Sequence, residues 1–450
     1  MSEDAKRSRV VRSRFAPGKR LAWSTLAATP LALGGLAGAS VVGAWDALLV
    51  GSAWVESYAL KKRAPNVERS FDGRMTVGVK NRVTLQIHNP SSSALRLTIR
   101  DDIPAGWRAV PDEVSVIVPA FARREAHYEV IPHERGDHVF GDLHVRTDGI
   151  FGLGARLLTI ASERNVRVYP NVLGAGGQDL ASRLGDLRSI GFRNVRRSGG
   201  GGEFDQLREY VQGDAFRDLD WKSSAKRLRP VTRVMRDERS QTVLLALDVG
   251  RLMAIRLTEG DTATTKLDHT IRAALLLAWV ALRHGDRVGL ILFAEDVHKF
   301  VPANRGPGQY RVLLEALYAV KANSSYVDFR RFVEFLRIRV PRRSLVVMFS
   351  DLLDDTHALP LAEHLAGIRN KHLPVCVTMQ DAIAERLAAS PVSSREQAYE
   401  RAAAADLLND RDNVKAHLRR SGVGLVEAPV GSLAVDTVNR YLEIKARNLL

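Results

Sequence analysis

The chain has 450 residues, enough for two or three domains, and its 66 Lys and Arg against 51 Asp and Glu give a net charge of +15. That balance fits nucleic acid, an anionic membrane face or an acidic partner; with aromatic residues at 6% and no stacking motif, zinc-ligand spacing or helix-turn-helix pattern, nucleic acid is set aside. The single cysteine, Cys376, excludes an intrachain disulfide, fits a reducing compartment and, within the apolar run Leu373–Met379, reads as a buried structural thiol.

Residues 1–20 read as a basic cytoplasmic tail carrying Lys6, Arg7, Arg9, Arg12, Arg14, Lys19 and Arg20. From Leu21 to Leu60 only Asp46 and Glu56 are charged, and Lys61-Lys62-Arg63 closes the stretch. A spanning helix takes about 20 residues, so residues 21–60 are expected to form a transmembrane helical hairpin with its turn near Ala39–Gly43. Basic flanks at both ends place both on the cytoplasmic side. A signal peptide is the rival reading, opposed by the second apolar half and the second basic cluster. A single longer span also stays open and would place the soluble part outside, since Asp46 and Glu56 are costly in lipid. Removal of residues 1–60 is expected to leave a soluble, folded remainder.

Residues 65–170 change character. Val83–Ile87 and Leu95–Ile99 alternate at period two around the turn cluster Asn89–Ser93, and further short strands are expected at Val114–Val118, Ala126–Ile131, Leu143–Arg146 and Val166–Tyr169. Such spacing predicts an immunoglobulin-like β-sandwich without a disulfide. His127, His133, His138 and His144 fit no zinc pattern and read as strand-face or surface residues.

Residues 171–239 join a Gly/Arg-rich linker, with Arg183, Arg188, Arg193, Arg196 and Arg197, to the densest motif of the chain. Gly199–Gly202 reads as a flexible lead-in. Gly213-Asp214 breaks the chain, with Asp214 as N-cap of a helix on which Phe216, Leu219 and Lys222 share a face and which Pro230 stops. Val231–Met235 reads as an edge strand. Arg217 and Asp220 are expected to hold this helix against the sheet that follows. Trp221 reads equally as an interface residue or a packed one.

From residue 240 strands alternate with helices: strands at Thr242–Asp248, Asp286–Phe293, Ser344–Asp351, His372–Thr378 and Val423–Glu427, and helices at Lys266–His284, Gln309–Val320, Asp328–Arg337, Ala358–Arg369, Gln397–Leu418 and from Ser432. Val297–Val301 is expected as a short antiparallel edge. This pattern predicts a doubly wound α/β domain over 240–450, with ligands at the carboxyl ends of the strands, where Asp248 and Asp351 lie.

Phe204, Leu207-Arg208-Glu209-Tyr210, Gly213-Asp214, Arg217, Asp220-Trp221-Lys222 and Ser224-Ala225, together with Val438–Lys445, resemble the signature of the bacterial domain-of-unknown-function family fifty-eight. The similarity spans nearly the whole chain. It implies a membrane anchor, a von Willebrand factor A-like (vWA-like), Rossmann-type domain, and a MoxR-type AAA+ ATPase as partner in the assembly or maturation of other proteins. Arg208, Tyr210, Gly213, Asp214, Arg217, Asp220, Trp221 and Lys222 then become candidate docking or structural residues.

The resemblance also locates a cation site to test. The usual vWA motif is Asp-x-Ser-x-Ser with a later Thr and Asp. Here Asp248 and Asp351 keep the carboxylates, with Ser350, Asp354 and Asp355 nearby, but Gly250 and Leu252 replace both serines, Arg251 adds positive charge, and only Ser324 or Ser325 stands in for the threonine. Hard cations take six or more oxygen ligands, so no Mg²⁺ and no other cofactor is expected, and Asp248 is expected to accept loop N–H bonds or to pair with an arginine. No Gly-x-Ser-x-Gly, phosphate-loop lysine, HExxH or Cys–His pair is present, and Asp218 and Asp220 beside Arg217 and Lys222 read as ion pairs. The expectation is a non-enzymatic, membrane-anchored scaffold. An extracytoplasmic adhesion or envelope protein and a cryptic hydrolase are the alternatives.

Overall fold

The computed structural model describes residues 9–28, 35–61, 63–71, 74–172, 203–212, 214, 216–236, 241–259, 262–351, 363–447 and 449. The Gly/Arg-rich linker, Gly199–Gly202, Gly213, Asp354 and Asp355, and the first part of the helix expected at Ala358–Arg369 lie outside them. The chain divides into two compact units, one running to Asn171 and including Tyr318–Val320, the other made of the rest.

The first unit begins with strand β1 (Arg9–Pro17), then helices α1 (Leu21–Ala28) and α2 (Gly35–Lys61). Strands β2 (Asn66–Phe71), β3 (Met75–Thr76), β4 (Asn81–His88), β5 (Leu95–Asp101), β6 (Arg108–Val110) and β7 (Val114–Val118) follow. The unit closes with β8 (Arg123–Ile131), β9 (Gly136–Phe140), β10 (Leu143–Asp148), β11 (Gly154–Ala161) and β12 (Arg164–Tyr169). Sheets ordered β1-β11-β10-β5-β7, β2-β4-β8-β6 and β3-β12-β9 result. Alternation sends Val83, Leu85 and Ile87 of β4 and Leu97 and Ile99 of β5 into one shared core, which is the sandwich. Arg69, buried in that core, is held by the Asp101 carboxylate and by the carbonyls of Gly141 and Ser162. Burial pushes the Asp101 carboxyl upward, against the pull of Arg69 and the Tyr128 hydroxyl.

The N-terminal stretch departs from its expected division. Residues 9–17 are not a free tail: they pair antiparallel with β11, from Arg9 opposite Ala161 to Pro17 opposite Gly154. The charges at Arg12 and Arg14 are those of an edge strand, which protects itself with them. Among the described residues the expected hairpin holds α1, of eight residues, and α2, of 27, and α2 runs unbroken through Ala39–Gly43, where the turn was expected. The carboxyl-terminal half of α2 lies on the sandwich through Leu49, Ala53, Ser57 and Leu60, one face at helical spacing. A Cβ on Gly154 would come 2.1 Å from the Ala53 carbonyl oxygen, so glycine is what lets helix and strand approach. Glu56, expected to be costly in lipid, instead accepts the backbone N–H groups of Phe151, Leu153 and Gly154 at 2.6, 3.0 and 2.8 Å. Removing residues 1–60 strips an edge strand and a packed helix face from the sandwich, so the soluble, folded remainder expected of that truncation would have to do without both.

The second unit opens with a ribbon of β13 (Glu203–Glu209) and β14 (Val231–Arg236) enclosing a short helix, α3 (Trp221–Arg227). Its main sheet uses β15 (Thr242–Asp248), and a hairpin of β16 (Arg256–Glu259) and β17 (Thr262–Thr265), unforeseen from sequence, leads into α4 (Lys266–Arg283). Then come β18 (Arg287–Phe293), β19 (Val297–Asn304), α5 (Pro307–Leu317), α6 (Phe329–Arg339), β20 (Leu345–Phe349), β21 (Leu373–Met379), α7 (Ala382–Ala389), α8 (Arg395–Arg420), β22 (Gly424–Ala428) and α9 (Leu433–Ala446). Sheet order is β19-β18-β15-β20-β21-β22, parallel except for β19. Counted within the sheet this is 3-2-1-4-5-6, the doubly wound order, and the topological switch point falls between β15 and β20. Both faces are covered, so the strands read as continuous apolar runs, β20 being buried throughout. Cys376 is fully buried among Met348, Val414 and Leu418, which pushes its thiol up to about 12. The C-terminal motif earns its pattern in α9: Tyr441 and Lys445 both bond Asp286 at the start of β18.

Candidate functional site

Asp248 ends β15 and Asp351 follows β20, one on each side of the switch point. Asp248 is buried; its two oxygens take the Gly250 N–H at 2.6 Å and the Ser350 hydroxyl at 2.7 Å. Burial pushes its carboxyl up to about 6 despite both bonds, with the Asp351 charge adding to the rise. Gly250 has little room for a side chain, since a Cβ there would lie 3.0 Å from the Ser325 carbonyl oxygen and 3.0 Å from Val327. Leu252 sits in the 3₁₀ turn Arg251–Ala254, and Arg251 leaves the site to stack over Tyr326, 4.0 Å from the ring centre. Ser325 contributes its backbone carbonyl, which accepts the Arg251 N–H.

Two residues that the sequence reading missed decide the chemistry. Lys266, the first residue of α4, is buried and donates its ammonium to Asp351 Oδ2. Thr265 and Asp268 form a reciprocal capping box that fixes this helix start, and with it the direction of Lys266. Arg411 of α8, also buried, lies 3.8 Å from Asp351 Oδ1 and donates to the Met379 carbonyl at 2.5 Å. Neither residue is near Asp351 in sequence, and a lysine opening a helix or an arginine within one is an ordinary surface pattern. The lack of hydroxyls at 250 and 252 was the available signal that something else faces the carboxylates.

The donor set does not fit a divalent cation. Positions 250 and 252 offer no side-chain oxygen, Asp248 is engaged with Ser350 and Gly250, and Asp351 faces two fixed positive charges. The described side chains around Lys266, Ser350, Asp351 and Thr378 enclose a cavity of about 10 Å³, the scale of one water molecule.

The signature block is a second candidate. Asp220, not Asp214, is the N-cap, accepting the Ser223 N–H at 3.0 Å at the start of α3. Asp220 pairs with Arg233 of the return strand at 2.7 Å, where a pairing across to the following sheet through Arg217 and Asp220 was expected; the Arg217 side chain lies outside the described residues. The Arg233 bond holds the Asp220 carboxyl below its usual range. Asp214 accepts the Val211 N–H and pairs with Arg208 at 2.6 Å, and its carboxyl is lowered for those reasons in that order. The supposed common face of Phe216, Leu219 and Lys222 is split: Leu219 is buried, while Phe216 and Lys222 are exposed, because a 3₁₀ turn at Phe216–Asp218 replaces the first helical turn. Tyr210 lies against Phe216 with ring centres 6.2 Å apart. Trp221 is 68% exposed and Leu228 90% exposed. Leu228 caps α3 with φ of 52°, a left-handed backbone that glycine adopts without cost.

This ordered block lies inside a segment with known relatives. Residues 206–420 match the family described as Protein of unknown function DUF58. An uncharacterized protein of Bacillus subtilis, YeaD, is 24% identical over 233 residues, 49% of this chain and 53% of that protein. An uncharacterized protein of Mycobacterium tuberculosis is 27% identical over 157 residues, 34% of this chain and 48% of its own. The chain thus spans about half the length of these relatives. Among solved structures, BatB from Bacteroides thetaiotaomicron is 12% identical with a TM-score of 0.27, covering 45% of this chain and 99% of that one. The SpRpn10 VWA domain is 14% identical with a TM-score of 0.27, covering 44% and 94%. An aerotolerance-related membrane protein from Bacteroides fragilis is 14% identical with a TM-score of 0.23, covering 40% and 98%. The architecture of the chain is defined by its own strand order. Among the described residues one helix, α2, is long and apolar enough to cross a membrane.

Proposed function

We propose that this DUF58 protein is a membrane-anchored, non-enzymatic interaction protein that works with a MoxR-type AAA+ ATPase in the assembly or maturation of other proteins. One observation carries the reading: the carboxylates at the switch point are engaged by Ser350, Gly250 and Lys266, whereas the signature block turns Trp221, Phe216 and Leu228 to solvent. An exposed tryptophan in a block rich in arginine is a composition enriched in binding hot spots. The ATPase enters through the family resemblance. Pairing of β1 with β11 supports the hairpin over a single span, because residues 9–17 and the sandwich must then share one side of the membrane. Flanking basic residues favour the cytoplasmic face of the inner membrane.

Co-purification from native membranes tests the reading. The wild-type chain is expected to retain the MoxR-type ATPase of the same organism, and Trp221→Ala to lose it while keeping the melting temperature. Retention of the ATPase by Trp221→Ala would move the docking site elsewhere.

A further inference from the structure

We infer that the Lys266 ammonium is the resident cation of the switch point: it pairs with Asp351 at the place where a vWA-like domain can carry a divalent ion, and so closes that place to the ion. This property of the strand ends is separate from the docking face proposed above.

Placement argues first. Strands β15 and β20 are parallel neighbours, with Leu247 opposite Phe349, so Asp248 and Asp351 leave adjacent carboxyl ends. A ligand of a doubly wound sheet sits in the crevice outside those ends. Helix α4 begins at the same crevice, and its first residue reaches Asp351 with only 5% of the Lys266 side chain and 2% of the Asp351 side chain exposed. A lysine opening a helix opposes the macrodipole, which favours acidic residues there. Burying its ammonium adds a desolvation cost. The Asp351 carboxylate is what offsets both.

Charge argues second. In this buried set the carboxylates of Asp248 and Asp351 are matched by the cations of Lys266 and Arg411. Arg411 also lies 4.0 Å from Asp381, whose carboxylate is engaged in capping α7. A divalent ion added to the set would bring positive charge with no partner into a place withdrawn from water, which is costly. Donors and room argue third. Among the described residues, Asp351 Oδ1 and Thr378 Oγ1 are buried without a hydrogen bond. Two oxygens are a third of the smallest shell that a hard cation takes. Asp351, Thr378 and Lys266 line the same cavity of about 10 Å³, room for one water molecule and not for a hydrated ion.

The test uses the full-length chain in detergent, with Mn²⁺ as the probe and its electron paramagnetic resonance signal as the measure of bound ion. Wild type is expected to show no Mn²⁺ site in the millimolar range that Asp351→Asn removes. Lys266→Ser exchanges the ammonium for a hydroxyl and opens space beside Asp351. That variant is expected to bind one Mn²⁺ per chain, about tenfold or more tighter than wild type, because a fixed positive charge no longer repels the ion. Adding Asp351→Asn to it should abolish the site. A second measurement needs no variant: brief acetylation of the folded wild type, followed by peptide mapping, should modify the exposed Lys222 and spare Lys266. A wild-type Mn²⁺ site that Asp351→Asn removes would overturn the inference. So would a folded Lys266→Ser that binds Mn²⁺ no better than wild type, or acetylation of Lys266 as fast as Lys222. If Lys266→Ser does not fold, the wild-type Mn²⁺ signal and the protection of Lys266 decide.

Discussion

At the residue scale, the switch-point carboxylates differ in how they are satisfied, and each difference is measurable. Asp248 has a folded-state pKa of about 6 against an ordinary value of 3.8. A carboxyl raised in this way holds its proton longer when folded, so its contribution is present below about pH 4 and is lost as pH rises through about 6. At about 1.4 kcal/mol per unit the span is about 3 kcal/mol. Asp248→Asn keeps the hydrogen-bonding shape without the titration. Wild-type stability is therefore expected to fall by about that amount relative to the variant between pH 4 and 6.5, read by denaturant unfolding; a flat difference would show that Asp248 is not desolvated. For Lys266 the expectation is larger. Lys266→Met leaves Asp351 charged and buried, costing about 3–5 kcal/mol, whereas Lys266→Met with Asp351→Asn should recover most of it. Millimolar Mn²⁺ or Mg²⁺ should leave the wild-type melting temperature unchanged and raise that of Lys266→Ser, since binding to the folded state alone stabilises by mass action. Restoring a serine at Gly250 is the poorer route to a cation site, because the Ser325 carbonyl already crowds that position.

At the scale of elements, the strands of the second unit were legible because burial on both faces leaves no alternation to misread: Val243–Leu247 and Leu345–Phe349 are apolar without a break. Strand β1 was not legible. Arg12 and Arg14 read as a soluble tail, and only its partner β11, far along the chain, makes it an edge. Helix α3 was found but misplaced by six residues, since Gly213-Asp214 and Asp220 are both acceptable starts and the Arg233 pairing selects the second. Deleting residues 1–17 should lower the melting temperature of the sandwich and open β11 to aggregation, whereas a deletion that stops at residue 8 should leave it unchanged; equal effects would mean that β1 does not pair. Leu228 offers a separate check. A leucine in a left-handed cap costs about 1 kcal/mol, so Leu228→Gly should be as stable as wild type or more so. If Leu228 is kept for contact, the same variant should lose partner binding.

At the scale of the whole molecule, the apolar N-terminal helix, the sandwich and the doubly wound domain followed from hydropathy and period. What did not follow was where charge is neutralised. Lys266, Arg411 and Asp351 meet only once α4, α8 and β20 are packed, and no local pattern marks them. The same holds for Glu56, whose cost in lipid vanishes when the β10–β11 turn supplies three N–H groups. In both cases a charge finds its partner on a distant element, and the proposed docking face is the exposed ribbon around Trp221. Site-specific photocrosslinking in native membranes tests this most directly. With benzoylphenylalanine in place of Trp221, and separately in place of Tyr399, which is 72% exposed on α8, adducts are identified by mass spectrometry. The account expects a MoxR-type ATPase adduct from position 221 and none from position 399; an adduct from position 399 alone, or none from position 221, would contradict it.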